Sequence, residues 1–173
     1  AEIAKLENKT PARMLVELIT RIDDWEKKNK RECHENIMAT SMAEADIKRM
    51  MQWPHTCICS DGSSNGSHPR GYGAFTRVLG KYTREEKSLF LKDAVHKMTS
   101  LSAKHTGIKK RGLIKTGYYA DLVIFNPETV EDKATVAELH KISEGIEKVF
   151  VNGILVFKNK KITGNYPGKI ITR

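Results

Sequence analysis

The stretch that does most to decide the fold is HTCICSDG at residues 55–62. It is a brief apolar run closed by an aspartate and a glycine, which is typical of a strand buried on both faces of a parallel sheet. Trp53-Pro54 ends the helix before it, because the residue preceding a proline is pushed out of the helical region. We therefore predict a buried strand over residues 55–60, with Asp61 at its carboxyl end and a glycine-rich loop after it.

Upstream of this run, the sequence predicts two helices separated by a short strand. Thr10-Pro11 is typical of a helix start, and apolar side chains follow at helical spacing as far as Trp25. Residues 37–40 are a short apolar run, and a capping box at residues 41–44 opens a second helix that ends near Met51. Together with the buried strand that follows, this order favours a parallel α/β sheet or barrel.

Two further helices are predicted after the glycine-rich loop. The first is short and runs over residues 83–91. Asp93 can cap the second, whose apolar stripe ends near Gly107. We place a domain boundary near residue 108, so that residues 1–108 belong to a parallel α/β sheet or barrel and residues 109–173 form a separate, β-rich domain.

The periodicity changes from helical to alternating in the last third of the chain. Residues 120–125 are predicted to be a strand that Asn126-Pro127 stops. Residues 149–157 are predicted to be a hairpin, because Asn152-Gly153 between alternating apolar residues is a strong hairpin signal. The tail is therefore expected to be rich in strands.

The composition excludes several classes of protein. The chain has 173 residues, 39% of them hydrophobic, so it can bury a sizeable core and is not disordered. Its 30 Lys and Arg against 21 Asp and Glu give a net charge of +9, but the basic residues are spread out without interleaved aromatics, which argues against a nucleic-acid partner. No apolar run reaches the roughly 18 residues of a membrane span, so no membrane partner is expected. Three cysteines do not make a disulfide framework, and a reduced cytoplasmic setting is predicted.

Asp61 is the candidate catalytic residue. An aspartate at the carboxyl end of a barrel strand can take a proton from a metal-bound water and return it to a leaving amine, whereas many Asp-Gly pairs simply cap a loop. Arg70 could grip a substrate carboxylate through two parallel hydrogen bonds, or it could form an ordinary surface ion pair. His68, beside Pro69, could line the same substrate pocket or hydrogen-bond within the loop.

The sequence offers no set of metal ligands. Upstream of Asp61 there is no His-x-His pair and no spaced set of His, Cys and Glu. Cys57 and Cys59 would lie on one face of the predicted strand, but structural zinc needs a second pair, and none has suitable spacing. We expect these two cysteines to be buried small hydrophobic residues.

Longer motifs extend well beyond the aspartate and the arginine. They are SDG at residues 60–62, HPRGYGAF at 68–75, RGLIK at 111–115, GYYADLV at 117–123 and VNG at 151–153. Together they resemble the N-acyl-D-amino-acid deacylases (D-aminoacylases) of the amidohydrolase superfamily. The resemblance covers roughly residues 35–173, and Ser102 stands where the family commonly has proline.

The resemblance implies an α/β fold in which this chain supplies the C-terminal part of a TIM-like (β/α)8 metallo-hydrolase barrel, followed by strands of a small β-sandwich domain. It implies a zinc cofactor and hydrolysis of the amide of an N-acyl-D-amino acid. Asp61 matches the family's catalytic aspartate, and Arg70 lies in a segment thought to contact the substrate carboxylate. The family's zinc ligands match nothing in this chain. We therefore expect it to be inactive alone and to need the N-terminal half of the barrel as its partner.

Two other functions stay open at this point. The chain could be a non-catalytic interaction module that folds alone or docks onto a partner. It could also belong to a cyclic amide hydrolase resembling the dihydroorotases or hydantoinases, although the His-Pro-Arg loop argues against that substrate class.

Overall fold

The structure of the chain is a computed structural model that describes residues 2–31, 42–62, 66 and 68–171. The chain divides into two compact units, Ala1–Ala39 and Thr40–Arg173. The strand predicted at residues 37–40 lies outside the described residues. The division predicted near residue 108 concerns the domains of a complete enzyme and stays a prediction.

The first unit is a pair of helices. α1 spans Glu2–Leu6 and α2 spans Pro11–Asn29. The helix start predicted at Thr10 is confirmed, because its Oγ1 accepts a hydrogen bond from the Arg13 backbone N–H at 3.3 Å and a proline fills the first turn. The helix ends at Lys30, which adopts a left-handed conformation.

Charged side chains connect the two helices of this unit. Glu7, just beyond α1, accepts hydrogen bonds from Lys9 at 2.9 Å and from Arg21 of α2 at 3.3 Å. Lys9 also donates to Glu17 of α2 at 2.5 Å. Since each ion-paired side chain keeps solvent contact, these bridges orient the helices more than they stabilise them.

Helices make up the first half of the second unit. They are α3 at Glu44–Gln52, α4 at Arg70–Arg77, a π-helix at Val78–Glu85 that continues α4 directly, α5 at Leu91–Met98 and α6 at Ser100–Thr106. The helix predicted to end near Met51 is confirmed as α3. The predicted capping box is wrong, because the N-cap is Ala43 and Glu44 is the first residue of the helix, whereas a box opening at residue 41 would place Glu44 in the third helical position.

The helix predicted over residues 83–91 is wrong. The chain there completes the π-helix at Glu85, and residues 86–90 form no helix. The side chain of Asp93 does not cap α5, because the N-cap is Phe90. Asp93 instead places its negative charge in the first turn, near the positive end of the helix.

The helix predicted to run on to Gly107 is two helices. The backbone breaks at Thr99, with φ −128° and ψ −93°, between α5 and α6. Gly107 then ends α6 as predicted, because its φ of 76° is a left-handed conformation that glycine adopts without strain.

The last third of the chain forms a four-stranded antiparallel sheet in the order β1-β2-β3-β4. The strands are β1 at Leu122–Phe125, β2 at Ile146–Val151, β3 at Ile154–Lys158 and β4 at Lys161–Ile162. The predicted hairpin is confirmed, with Val151 paired to Ile154. Its turn has φ 49° at Asn152 and 81° at Gly153, the left-handed pair that this dipeptide accepts most readily.

The core of the second unit lies around the π-helix and the segment before β2. Ala94 and Val130 are each 0% exposed. The other buried members of this core are Met51, Val78, Leu79, Tyr82 and Leu89. A Cβ added at Gly80 would meet the carbonyl oxygen of Val130 at 2.7 Å. Only glycine therefore lets the π-helix approach this part of the chain.

The strand predicted over residues 55–60 is wrong for this chain. A strand exists by pairing with a neighbour, and in the described part of the chain no strand lies beside this segment. The backbone N–H of Ile58 donates instead to the carbonyl of Lys97 on α5, at 3.3 Å. The sheet that is described is antiparallel, so the predicted parallel pairing is not seen in it. The fold is a mixed α/β one, as predicted at that coarser level.

Candidate active site

Asp61 follows the unpaired segment and precedes a loop. Its φ of 46° is a left-handed conformation that aspartate tolerates better than most residues. A hydrogen bond between the residues on either side of Asp61 stabilises the turn, since the Gly62 N–H donates to Ser60 Oγ at 3.2 Å. The side chain of Asp61 is 75% exposed, so its carboxylate remains open to solvent and to ligands.

Arg70 begins α4 and returns to the same place. Its Nη2 lies 2.7 Å from Asp61 Oδ2, and its Nε donates to the Asp61 main-chain carbonyl at 2.9 Å. Asp61 and Arg70 can approach this closely because Gly62 faces Gly71, where a Cβ on Gly62 would meet the Gly71 Cα at 2.9 Å. The side chain of Arg70 is 47% exposed, so the guanidinium can also reach an incoming anion.

His68 completes the group. Its Nδ1 accepts a hydrogen bond from the Arg70 backbone N–H at 3.0 Å, which orients the imidazole against the start of α4. Because this ring nitrogen is an acceptor, the ring proton of the neutral histidine lies on Nε2. The structure thus brings together the predicted site residues Asp61, His68 and Arg70.

These contacts define what the arrangement can do. A carboxylate with an open face can accept and return a proton, and an arginine beside it can bind a planar anion through two donors. The same contact means that Asp61 and Arg70 neutralise each other when no anion is bound. Both roles predicted for Arg70, the ion pair and the binding of a substrate carboxylate, are compatible with this position.

The described residues do not fit a zinc ion. They contain no group of three or more His, Cys, Asp and Glu side chains placed to hold a metal. Cys57 Sγ lies 3.0 Å from His105 Nδ1, and Cys59 is exposed and separate. The prediction that both cysteines are buried is therefore wrong, since Cys57 is half-buried and Cys59 is exposed in a segment that pairs with no strand in the described part of the chain.

Sequence reasoning missed two residues that support this region. Lys97 of α5 is buried and donates to main-chain carbonyls of residues 53–56. His140 Nε2 lies 3.1 Å from the carbonyl of Gly66, in the loop between Asp61 and Arg70. Both lie far from the motif along the chain, and a lone Lys or His carries no local signal that would reveal such contacts.

A large apolar groove begins beside the site, at Gly71 and Tyr72, and continues between the helices and the sheet. Its volume is about 1280 Å³. Asp61 and Arg70 do not line it. Side chains that do are Phe75, Leu79, Val95, Met98, Phe125, Val149 and Phe157.

The family model of the amidohydrolase family matches residues 12–157. The chain therefore belongs to the amidohydrolase family. Among characterised relatives, it is 41% identical to the N-acyl-D-aspartate deacylase of Alcaligenes xylosoxydans xylosoxydans over 132 residues, which cover 75% of this chain and 26% of the relative. It is 40% identical to the N-acyl-D-glutamate deacylase of the same organism over 146 residues, covering 83% of this chain and 30% of that protein.

The solved structures similar to this chain are also those of deacylases. A crystal structure of D-aminoacylase is 42% identical and superposes with a TM-score of 0.74, covering 76% of this chain and 28% of that one. The N-acyl-D-glutamate deacylase of Bordetella bronchiseptica, solved with zinc and a phosphonate mimic of the tetrahedral intermediate, is 44% identical with a TM-score of 0.66 and coverages of 69% and 26%. The predicted resemblance to these deacylases is confirmed.

The chain spans between 26% and 30% of the length of the characterised relatives named here. Zinc is bound in one of the solved relatives, and another is described by its binuclear metal centre. Within the described ranges, no helix is long and apolar enough to cross a bilayer.

Proposed function

We propose that this chain is part of a zinc-dependent hydrolase that removes the acyl group from N-acyl-D-amino acids by hydrolysis of the amide bond. The observation that carries the proposal is the meeting of Asp61 and Arg70 in a chain 40–44% identical to such deacylases. In the complete enzyme we propose the predicted (β/α)8 barrel followed by a small β-sandwich. Residues 55–60 would then be its last strand, once neighbouring strands pair with them.

Asp61 acts as the general base and acid. It takes a proton from the attacking water and returns it to the nitrogen of the leaving D-amino acid as the amide C–N bond breaks. Its open, left-handed position at the end of the segment leaves both oxygens able to face the reacting atoms. The Asp61 carboxylate thus both accepts the proton from water and donates it to the leaving amine.

Arg70 binds the α-carboxylate of the substrate. A guanidinium pairs with a carboxylate in a planar, two-bond arrangement, which fixes the direction of the attached amide. His68 holds the start of α4 through the Arg70 N–H and lines the substrate pocket with its free Nε2. Arg70 must exchange Asp61 for the substrate, because both carboxylates bind the same guanidinium.

Zinc, when bound, supplies a Lewis acid that makes water a nucleophile near neutral pH. Because the described residues of this chain do not fit the ion, we propose that its ligands come from the N-terminal part of the enzyme. The chain alone should therefore be inactive.

The apolar groove supports the proposed partner. Apolar side chains that line it, such as Phe75 and Ile114, are exposed to water, and a large exposed apolar surface is typical of an interaction site. The remaining length of the relatives, about three quarters, is available to cover it. We propose that the N-terminal part of the enzyme packs here, which would complete the barrel and the sandwich.

The test joins this chain to the matching N-terminal part of a D-aminoacylase, supplies zinc, and offers N-acetyl-D-amino acids. We expect hydrolysis, and we expect Asp61→Asn to lower kcat by about 10²- to 10⁴-fold. Asp46→Asn, on the exposed face of α3, is the matched control and should change little. No hydrolysis by the joined protein, or full activity in the Asp61 variant, would refute the proposal.

The same joined protein separates the other two functions. Activity on a hydantoin or dihydroorotate, with none on N-acetyl-D-amino acids, would favour the cyclic amide hydrolase. A folded, zinc-free monomer that does not combine with the N-terminal part would favour an interaction module. Size-exclusion chromatography and metal analysis of the purified chain distinguish these outcomes.

A further inference from the structure

Lys97 is a buried lysine that has no acidic partner among the residues that the structure describes. It lies on α5, is 4% exposed, and follows Ala94, which is 0% exposed. Within the described ranges, the hydrogen bonds of its ammonium go to main-chain oxygens and not to a carboxylate. Burying an ammonium group is costly unless its donors are satisfied, so the contacts that it does make must matter to the fold or the site.

The ammonium of Lys97 binds main-chain oxygens. Its Nζ lies 2.5 Å from the carbonyl of Trp53 and 3.3 Å from that of Thr56. Trp53 is the C-cap of α3, where carbonyl groups lack helical partners and the helix end carries partial negative charge. The lysine therefore takes the place of a counter-ion at a helix C-terminus.

The main chain of Lys97 binds the next part of the same segment. Its carbonyl accepts the Ile58 N–H at 3.3 Å and the Ser102 hydroxyl at 2.7 Å. One residue thus fixes residues 53–58 from both its side chain and its backbone. This is the segment that lacks a strand partner, and it leads directly to Asp61.

We propose that Lys97 is a positioning residue for Asp61. Its ammonium fixes the path of residues 53–58, and that path determines where the Asp61 carboxylate lies relative to Arg70. Lys97 touches neither the substrate nor Asp61, so it acts through the segment between them. The inference rests on the proposed role of Asp61 in hydrolysis.

The first experiment uses the 173-residue chain itself. Lys97→Met keeps the length of the side chain and removes its donors, and Lys104→Met is the matched control, since Lys104 is an exposed lysine on the neighbouring helix. Two signals are followed by ¹H–¹⁵N NMR: hydrogen exchange of the Ile58 amide and the chemical shift of the Arg70 Nε–H. The latter is assigned by its loss in Arg70→Lys.

We expect Lys97→Met to speed exchange of the Ile58 amide at least about tenfold and to move the Arg70 Nε–H signal toward that of a free arginine. Exchange of the Ala103 amide, inside the helical region, should not change, which shows that the fold is retained. Lys104→Met should leave both signals as they are. Unchanged Ile58 exchange and an unchanged Arg70 signal in folded Lys97→Met would overturn the proposal.

If Lys97→Met does not fold, two further variants test whether Lys97 positions Asp61. Lys97→Arg keeps a cation and Lys97→Gln keeps a single donor group. We expect Ile58 protection to fall in the order Lys, Arg, Gln. Equal protection in all three proteins would overturn the proposal.

The joined enzyme tests the link to catalysis. Measured on folded protein, Lys97→Met should lower kcat at least about tenfold, while KM changes by less than about threefold because the donors of Arg70 are retained. Lys97→Arg should restore part of kcat. If the joined wild-type protein shows no hydrolysis, the proposed function fails, while the NMR comparison still decides whether Lys97 positions Asp61.

Discussion

Arg70 holds Asp61 by two separate atoms, the carboxylate Oδ2 at 2.7 Å and the main-chain oxygen at 2.9 Å. Both side chains are largely exposed, at 47% and 75%. Ion pairs this exposed are strongly screened by water and contribute little to folding. If the pair has the role proposed above, its replacement should affect function far more than folding.

We predict that Asp61→Asn changes the free energy of unfolding by less than about 1 kcal/mol. The comparison is Asp121→Asn. Asp121 forms an ion pair with Arg111, whose side chain is only 14% exposed, and accepts the Asn152 N–H at 2.8 Å. Loss of this better-shielded charge should cost about 1–2 kcal/mol.

Urea unfolding of both variants, followed by circular dichroism, measures the difference. Burial works against the charge of Asp121, yet the Asn152 N–H and Arg111 together hold the pKa of this carboxyl below its usual value. The stability that it contributes should therefore be present above about pH 3.8 and be lost as the pH falls further. A larger effect at Asp61 than at Asp121 would contradict the prediction.

The close approach at Gly145 gives a second prediction. Its φ is 76°, and an added Cβ would fall on the main chain of Val130, closer than real Cβ contacts allow. Gly145→Ala should therefore destabilise the second unit by at least about 3 kcal/mol, since backbone must shift. Gly117→Ala is the control, because its φ is 81° and nothing lies within 4 Å.

Gly117→Ala should cost only about 1 kcal/mol, the strain of a left-handed alanine. Thermal unfolding of both variants is the measurement. Equal losses of stability would mean that conformation, and not the contact with Val130, determines the effect at Gly145.

The first unit should respond to acid through Glu7. Hydrogen bonds from Arg21 and then Lys9 lower the pKa of this carboxyl from 4.5 to about 2. Because the folded value lies below the unfolded one, the contribution is complete above about pH 4.5 and disappears as the pH falls toward 2. We expect the protection factor of the Lys9 amide, which donates to the Ala4 carbonyl, to fall over this interval when exchange is compared with the intrinsic rate at each pH.

In Glu7→Gln the protection factor of the Lys9 amide should be low and should no longer change between pH 4.5 and 2. The amide of Ile108, in the second unit, serves as an internal reference. An unaltered acid response in Glu7→Gln would assign the effect to another carboxyl group.

The apolar groove predicts how the isolated chain behaves. We expect it to bind 1-anilinonaphthalene-8-sulfonate and to self-associate, because apolar side chains such as Phe75 and Ile114 remain in contact with water. The joined protein should bind far less dye and remain monomeric or form a defined oligomer. Dye fluorescence and light scattering at several concentrations test this. Equal dye binding by both proteins would show that the N-terminal part does not cover the groove.

The features that could be predicted from the sequence are those that local rules decide. The start of α2 at Thr10, the stop of α6 at Gly107 and the turn at Asn152-Gly153 each depend on the chemistry of a few adjacent residues. The grouping of Asp61, His68 and Arg70 was also expected, because they lie in one motif.

Other features depend on parts of the chain that are far apart. An apolar run such as residues 55–60 indicates burial, but pairing requires neighbouring strands that local sequence does not supply. The contacts of Lys97 with residues 53–58 join segments separated by α4 and the π-helix. Neither the hydrophobic periodicity of the sequence nor a motif predicts a contact of that kind.

The turn between β2 and β3 also affects how readily the protein undergoes spontaneous deamidation. An asparagine followed by glycine is the dipeptide most prone to spontaneous deamidation, because the glycine nitrogen can attack the side-chain carbonyl carbon. Here the Gly153 nitrogen donates to the Ala120 carbonyl at 2.9 Å, while the Asn152 amide is held by Arg111 at 2.7 Å and by Pro167 at 2.7 Å. Native packing therefore restrains both the glycine nitrogen and the side-chain amide that it would attack, and isoaspartate should accumulate at this position mainly in molecules that have already unfolded.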